Sequence, residues 1–96
     1  MKTLFLIYHD TLEPEISALV QRDMVIPRYT RIDDVVGARI AERERETGYT
    51  TERRSRLMVL VAEDSVIDKL VRNLRALRRR HGHGLRGFVV PTENVI

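Results

Sequence analysis

The chain has 96 residues, 43% of them apolar and 32% charged, with a formal net charge of +3. That length suits one domain with a thin core, and the short apolar runs fall far below the length of a membrane-spanning helix, so a membrane-embedded protein is not expected. With no cysteine, the chain is closed to disulfides, thiolate metal sites and thiol nucleophiles.

The opening MKTLFLIY carries the lysine and apolar stretch of a short signal peptide, but no small-residue cleavage site follows and Asp10, Glu13 and Glu15 arrive at once. An apolar first strand over Leu4 to Tyr8 accounts for it better, and with it a cytoplasmic location. Leu12, Ile16, Leu19 and Val20 then fall on one helical face, with Thr11 as a cap and Pro14 in the first turn, ending near Asp23. VIPRYTRIDDVVG is rich in β-branched and aromatic residues and predicts a second strand with Pro27 at its entry, ending at Gly37. The stretch ARIAERERETGYTTERRSR is almost without apolar residues, and Leu57 to Ala62 resumes as a third strand. Ser65, with Asp68 three residues on, has the pattern of a capping box for a helix whose buried stripe is Val66, Ile67, Leu70, Leu74 and Leu77. A fourth strand, FVV, stops at Pro91.

Strand, helix, strand, strand, helix, strand is the split βαβ order of an α+β, ferredoxin-like domain: an antiparallel sheet with two helices on one face. The uncovered face keeps apolar positions from the first and third strands, so association of copies is expected to bury it.

Fifteen of the seventeen basic residues are arginine, whose planar fork grips phosphate or carboxylate through two hydrogen bonds. Six of them lie between Arg72 and Arg86 with no carboxylate among them, so positive charge gathers at the end of the second helix. There the sequence reads RRRHGHGLRG. Gly82 and Gly84 permit positive φ and a close backbone approach, and with Arg86 they compose an anion-binding loop, although a capping glycine in a helix-to-strand turn would read the same way. His81 and His83 alone are an incomplete metal site. The connection from Ala38 to Arg56 is long for antiparallel strands, and its charge suits either partner recognition or a plain hairpin extension. No carboxylate pair sits beside an evident nucleophile, so an enzyme is not expected. The few dispersed aromatic residues disfavour nucleic acid as a partner.

Two segments carry a family resemblance over nearly the whole chain. IPRYTRIDDVVGAR, through Pro27, Tyr29, Thr30, Asp34, Val35 and Gly37, resembles the point where the second strand of PII-like signalling proteins enters their large T-loop. GHGLRGFVV is similar to their B-loop, with Gly82 and Gly84 as its paired glycines. The resemblance implies one PII-like domain over residues 1–96 with a T-loop-like connection at about 37–56. It implies a homotrimer with clefts between subunits that bind a small anionic effector, an adenine nucleotide such as ADP, ATP or AMP, with no required cofactor. Gly37 and Arg39 would approach that ligand from the base of the T-loop, and Gly82, Gly84 and Arg86 would hold its phosphates. Arg43, Arg45, Tyr49 and Arg53 would face a target protein, whether enzyme, transporter or regulator. The superfamily also holds CutA-like members, so a divalent metal at His81 and His83, serving metal tolerance, stays open, as does a constitutive interaction module with an empty cleft. Cyclic nucleotides and bicarbonate are further effectors consistent with the same loops.

Overall fold

The computed structural model describes residues 1–24, 28–39, 50–82 and 84–96, and of residues 37–39 and 50–54 the backbone alone. Pro27 lies outside the described residues. The elements are β1 (Lys2–His9), a 3-10 turn (Asp10–Leu12), α1 (Glu13–Asp23), β2 (Tyr29–Arg39), β3 (Thr50–Ala62), α2 (Asp64–His81) and β4 (Leu85–Pro91). The sheet runs β2-β3-β1-β4, with every neighbouring pair antiparallel. This is the ferredoxin-like α+β order expected from the sequence.

Strand alternation separates the two faces of this sheet. Leu4, Leu6 and Tyr8 of β1 and Met58 and Leu60 of β3 are buried together with Ile16 and Val20 of α1 and Ile67, Leu70, Leu74 and Leu77 of α2. On the opposite face the register sets Phe5 between Val59 and Phe88, and Ile7 between Leu57 and Arg86. Ile32 continues the second row from β2, opposite Leu57. The Phe5 and Phe88 rings stack with centroids 5.0 Å apart. No helix among the described residues covers this face, and Phe88 and Ile32 keep 55% and 52% of their surface exposed.

Besides the longer β4, which starts at Leu85 and takes in Pro91, the structure departs from the sequence expectation at three places. Ser65 does not cap α2: the helix begins one residue earlier, at Asp64, and its N-cap, Glu63, makes no side-chain capping bond. The Glu63 carbonyl instead accepts from the amides of Val66 and Ile67. Thr11 lies within the 3-10 turn, where its amide donates to His9 Nδ1 at 3.3 Å, and α1 starts at Glu13 with Pro14 in its first turn. The third departure is that β2 and β3 stay paired through Gly37↔Glu52, Ala38↔Thr51 and Arg39↔Thr50. The long connection therefore narrows to residues 40–49. Backbone pairing can persist there without apolar side chains, because the ladder's hydrogen bonds are indifferent to hydropathy.

One buried carboxylate joins the helices. The Asp23 side chain is fully buried at the end of α1, where it accepts from Asn73 Nδ2 of α2 at 2.7 Å and from Arg22 Nε at 3.2 Å. Burial pushes its pKa up, but the bonds from Asn73 and Arg22 outweigh that and hold it below the ordinary carboxylate value. Asn73→Ala removes the shortest of these bonds, and chemical denaturation is expected to show a loss of about 2 kcal/mol, since an ionised group is left short of a donor.

Candidate functional site

The turn from α2 into β4 is built by two glycines. Gly82 closes the helix in the left-handed region, φ +79°, with its amide donating to the Arg78 carbonyl at 2.7 Å. Gly84 has φ +83°, a conformation that side-chain-bearing residues rarely adopt. Its carbonyl accepts from the His9 amide at 2.8 Å, which moors the turn to the end of β1. Leu85 then turns inward and is buried, so alternation carries Arg86 to the uncovered face beside Ile7. Gly82, Gly84 and Arg86 are thus drawn together at one corner of the sheet. Arg78, Arg79 and Arg80 stand in the last turn of α2, at the end where the helix dipole favours positive charge.

Gly37 and Arg39 occupy the same end of the sheet but its opposite edge. β2 and β4 are separated by β3 and β1, three inter-strand steps or about 14 Å at ordinary strand spacing. Within one chain the two halves of the expected site do not meet across the sheet. Arg43, Arg45, Tyr49 and His83 lie outside the described residues, and Arg53 falls in β3 with only its backbone described. His81, the last residue of α2, has its Nε2 3.1 Å from a Glu15 carboxylate oxygen of α1. Among the described residues, no group of three histidine, cysteine, aspartate or glutamate side chains is arranged to hold a metal ion.

Beside the base of the β2–β3 extension lies a polar network not evident in the sequence. Glu13, at the start of α1, accepts from Arg31 Nη1 of β2 at 2.7 Å and pairs with Arg56 Nη1 of β3 at 3.2 Å. It also accepts from the hydroxyl of buried Tyr8. Both arginines reach on to Asp33, through Arg31 Nε at 2.9 Å and Arg56 Nε at 3.4 Å. Burial raises the Glu13 pKa, but the donors from Tyr8, Arg56 and Arg31 prevail and its carboxyl titrates below the usual range. Burial, together with the Glu13 carboxylate, pushes the Tyr8 phenol well above its ordinary value, so Tyr8 stays a neutral donor.

The backbone is irregular where this network meets β2. Pairing passes from Ile32↔Leu57 to Val35↔Ser55, which inserts one extra residue in β2, and Asp34 takes φ +55° there. The next step, Val35↔Ser55 to Gly37↔Glu52, inserts one in β3 and restores the count. Asp10, Asp33, Asp34, Ser55 and Arg56 line a small hollow at this bend. The available sequence signal was Arg56, which holds the inward register two residues before Met58 and four before Leu60. A charged residue in a core-facing position asks for a buried partner.

This architecture is that of PII-like proteins. The chain superposes on the nitrogen regulatory PII-like protein CPII from Thiomonas intermedia K12, bound to ADP, AMP and bicarbonate, with a TM-score of 0.69 and 14% identity over 92% of this chain and 86% of that one. Against the apo form of CPII the TM-score is 0.66 at 11% identity, covering 93% and 87%. A protein from Thermus thermophilus, described as PII-like and signalling, matches with a TM-score of 0.61 and 15% identity over 93% and 82%. At these identities the likeness is one of fold. No family model matches the chain, and no curated protein matches it in sequence. Among the described residues, no helix is long and apolar enough to cross a membrane.

Proposed function

We propose that this protein is a cytoplasmic, non-enzymatic PII-like signalling protein that binds a small anionic effector, an adenine nucleotide, in clefts between the subunits of a homotrimer. The observation that carries the reading is the Gly82–Gly84 turn, which brings two positive-φ glycines and Arg86 to the corner where the uncovered sheet face begins. Such a turn can aim backbone amides at phosphate while the arginine supplies charge. The fold supports the reading further, because CPII of the same architecture is bound to ADP, AMP and bicarbonate.

In this proposal the ligand joins one chain's glycine turn to the neighbour's Gly37 and Arg39, which lie on the other edge of the sheet. Occupancy then favours one arrangement of the β2–β3 connection, and Arg43, Arg45, Tyr49 and Arg53 present that arrangement to a target protein. Such a switch works only to the extent that the ligand binds the two arrangements unequally. No metal or other cofactor is required by this scheme.

The test is calorimetric titration of the purified protein with ADP, AMP and bicarbonate, each in wild type and Arg86→Ala. A nucleotide is expected to bind with affinity that falls as salt rises, and Arg86→Ala is expected to weaken it about tenfold or more, the worth of one charge-assisted contact. Failure of every nucleotide to bind would sink the effector assignment. A response to a divalent metal, added as a further titrant, and to none of the anions would favour the histidine reading.

A further inference from the structure

The side of β4 that faces the helices is left partly uncovered, and this opens a cleft that runs from Val89 up to Leu85 and Arg86 beside the glycine turn. Alternation sends Leu85, Gly87 and Val89 to the helix side, while Arg86 and Phe88 belong to the other face. The cleft between α2 and β4 has a volume of about 340 Å³. Leu4 and Leu6 form its floor, with Val71 and Leu74 of α2 along one wall and Val89 along the other. Gly87 provides its depth: a Cβ there would stand 2.7 Å from the Phe5 carbonyl and 3.3 Å from Leu6 Cδ1, so no side chain fills the middle of the strand.

Arg75 and Arg78 stand at the mouth, one helical turn apart on the same flank of α2 as Val71. Among the described residues neither has a carboxylate partner. Arg22, Arg31 and Arg56, by contrast, all engage Asp or Glu. Two unpaired guanidinium groups over an apolar trough are complementary to one kind of molecule, an apolar body ending in a carboxylate or other anion. The volume sits at the small end of the range for ligand sites and is too small for a partner helix, which favours a small molecule over a protein segment.

We propose that the α2–β4 cleft binds an amphiphilic monocarboxylate, with its hydrocarbon chain along Leu6, Val71, Leu74 and Val89 and its carboxylate between Arg75 and Arg78. The apolar chain supplies affinity through buried area and the arginines select for the anion. Arg86 borders this cleft as well as the glycine-turn corner, so the two sites are told apart by substituting Arg75 and Arg78, which leaves Arg86 in place.

The test is an amide chemical-shift titration of the full chain with decanoate kept below its micelle concentration. Decanol serves as the uncharged probe and acetate as the chainless one. Decanoate is expected to give saturating shifts centred on Val71, Leu74, Arg75, Gly87 and Val89, with decanol and acetate failing to saturate over the same range. Arg75→Gln with Arg78→Gln, both exposed and outside the core, should leave the rest of the spectrum in place and weaken decanoate about tenfold or more. The proposal is overturned if decanoate shifts centre on Phe5, Ile7 and Ile32, if the double variant binds as tightly as wild type, if decanol or acetate binds equally well, or if no probe saturates.

Discussion

Phe88→Asp is expected to turn the proposed trimer into single folded chains, read as a threefold fall in mass by light scattering. Phe88 lies at the middle of the edge strand β4 on the uncovered face, stacked on Phe5 and more than half exposed, in a row that continues to Val59. A neighbouring row runs from Ile7 through Leu57 to Ile32, so the apolar surface spans all four strands. Patches of this kind are normally interfaces. Withdrawing the ring from a dry contact costs about 2 kcal/mol per subunit, and desolvating the new carboxylate adds more, repeated at each copy. The fold itself should survive, since Phe88 points away from the helices, and an unchanged far-ultraviolet circular dichroism spectrum would show that. A variant that stays trimeric would mean that another surface holds the copies together. A wild-type protein that is already monomeric at micromolar concentration would remove the trimer from the proposal altogether.

Glu13→Gln is expected to cost about 2 kcal/mol at pH 7, because bonds from two arginines and a buried phenol lose their ionised acceptor. The effect should depend on pH in a definite direction. The Glu13 carboxyl titrates lower in the folded protein than in the unfolded chain, so its stabilisation is complete above the unfolded value of about 4.3 and drains away as pH falls through the folded value. Denaturation curves of wild type and variant should therefore converge toward pH 3. Some acid sensitivity should persist in the variant, because Asp23 is depressed in the same way. A stability gap that stays constant from pH 7 to pH 3 would show that the substitution acts through packing and not through charge.

The apolar elements were legible because each announces itself over five or more residues. Leu4 to Tyr8 and Leu57 to Ala62 read as strands, and the α2 stripe from Ile67 to Leu77 reads as a helix at the observed spacing. The glycine turn was legible too, since positive φ at Gly82 and Gly84 is what glycine supplies. The hidden features are those whose partners lie far apart in sequence. Glu13, Arg31 and Arg56 meet only because α1 packs beside the β2 and β3 strands, and nothing local to any of the three discloses the other two. The paired insertions around Val35 are equally silent, since each is a register relation between two strands. Ser65 shows the opposite failure, a local pattern that matched while the helix started one residue before it. At β2 the hydropathy pattern fades before the ladder does, which is why the strand runs past Gly37 to Arg39.

The place of β1 in the sheet has a consequence for how the chain reaches this structure. Phe5 pairs with Val59, 54 positions later, and with Phe88, 83 positions later, so the centre of the sheet is stitched from its most distant sequence segments. Topologies dominated by such distant pairings fold slowly, because the entropy of closing large loops is spent before the contacts reward it. On the ribosome, β1 emerges first and finds neither neighbour until more than half of the chain has followed, and its second neighbour arrives only with the final strand. Until then an apolar strand keeps at least one unsatisfied edge exposed, which makes the growing chain, and not the finished fold, the stage most vulnerable to aggregation.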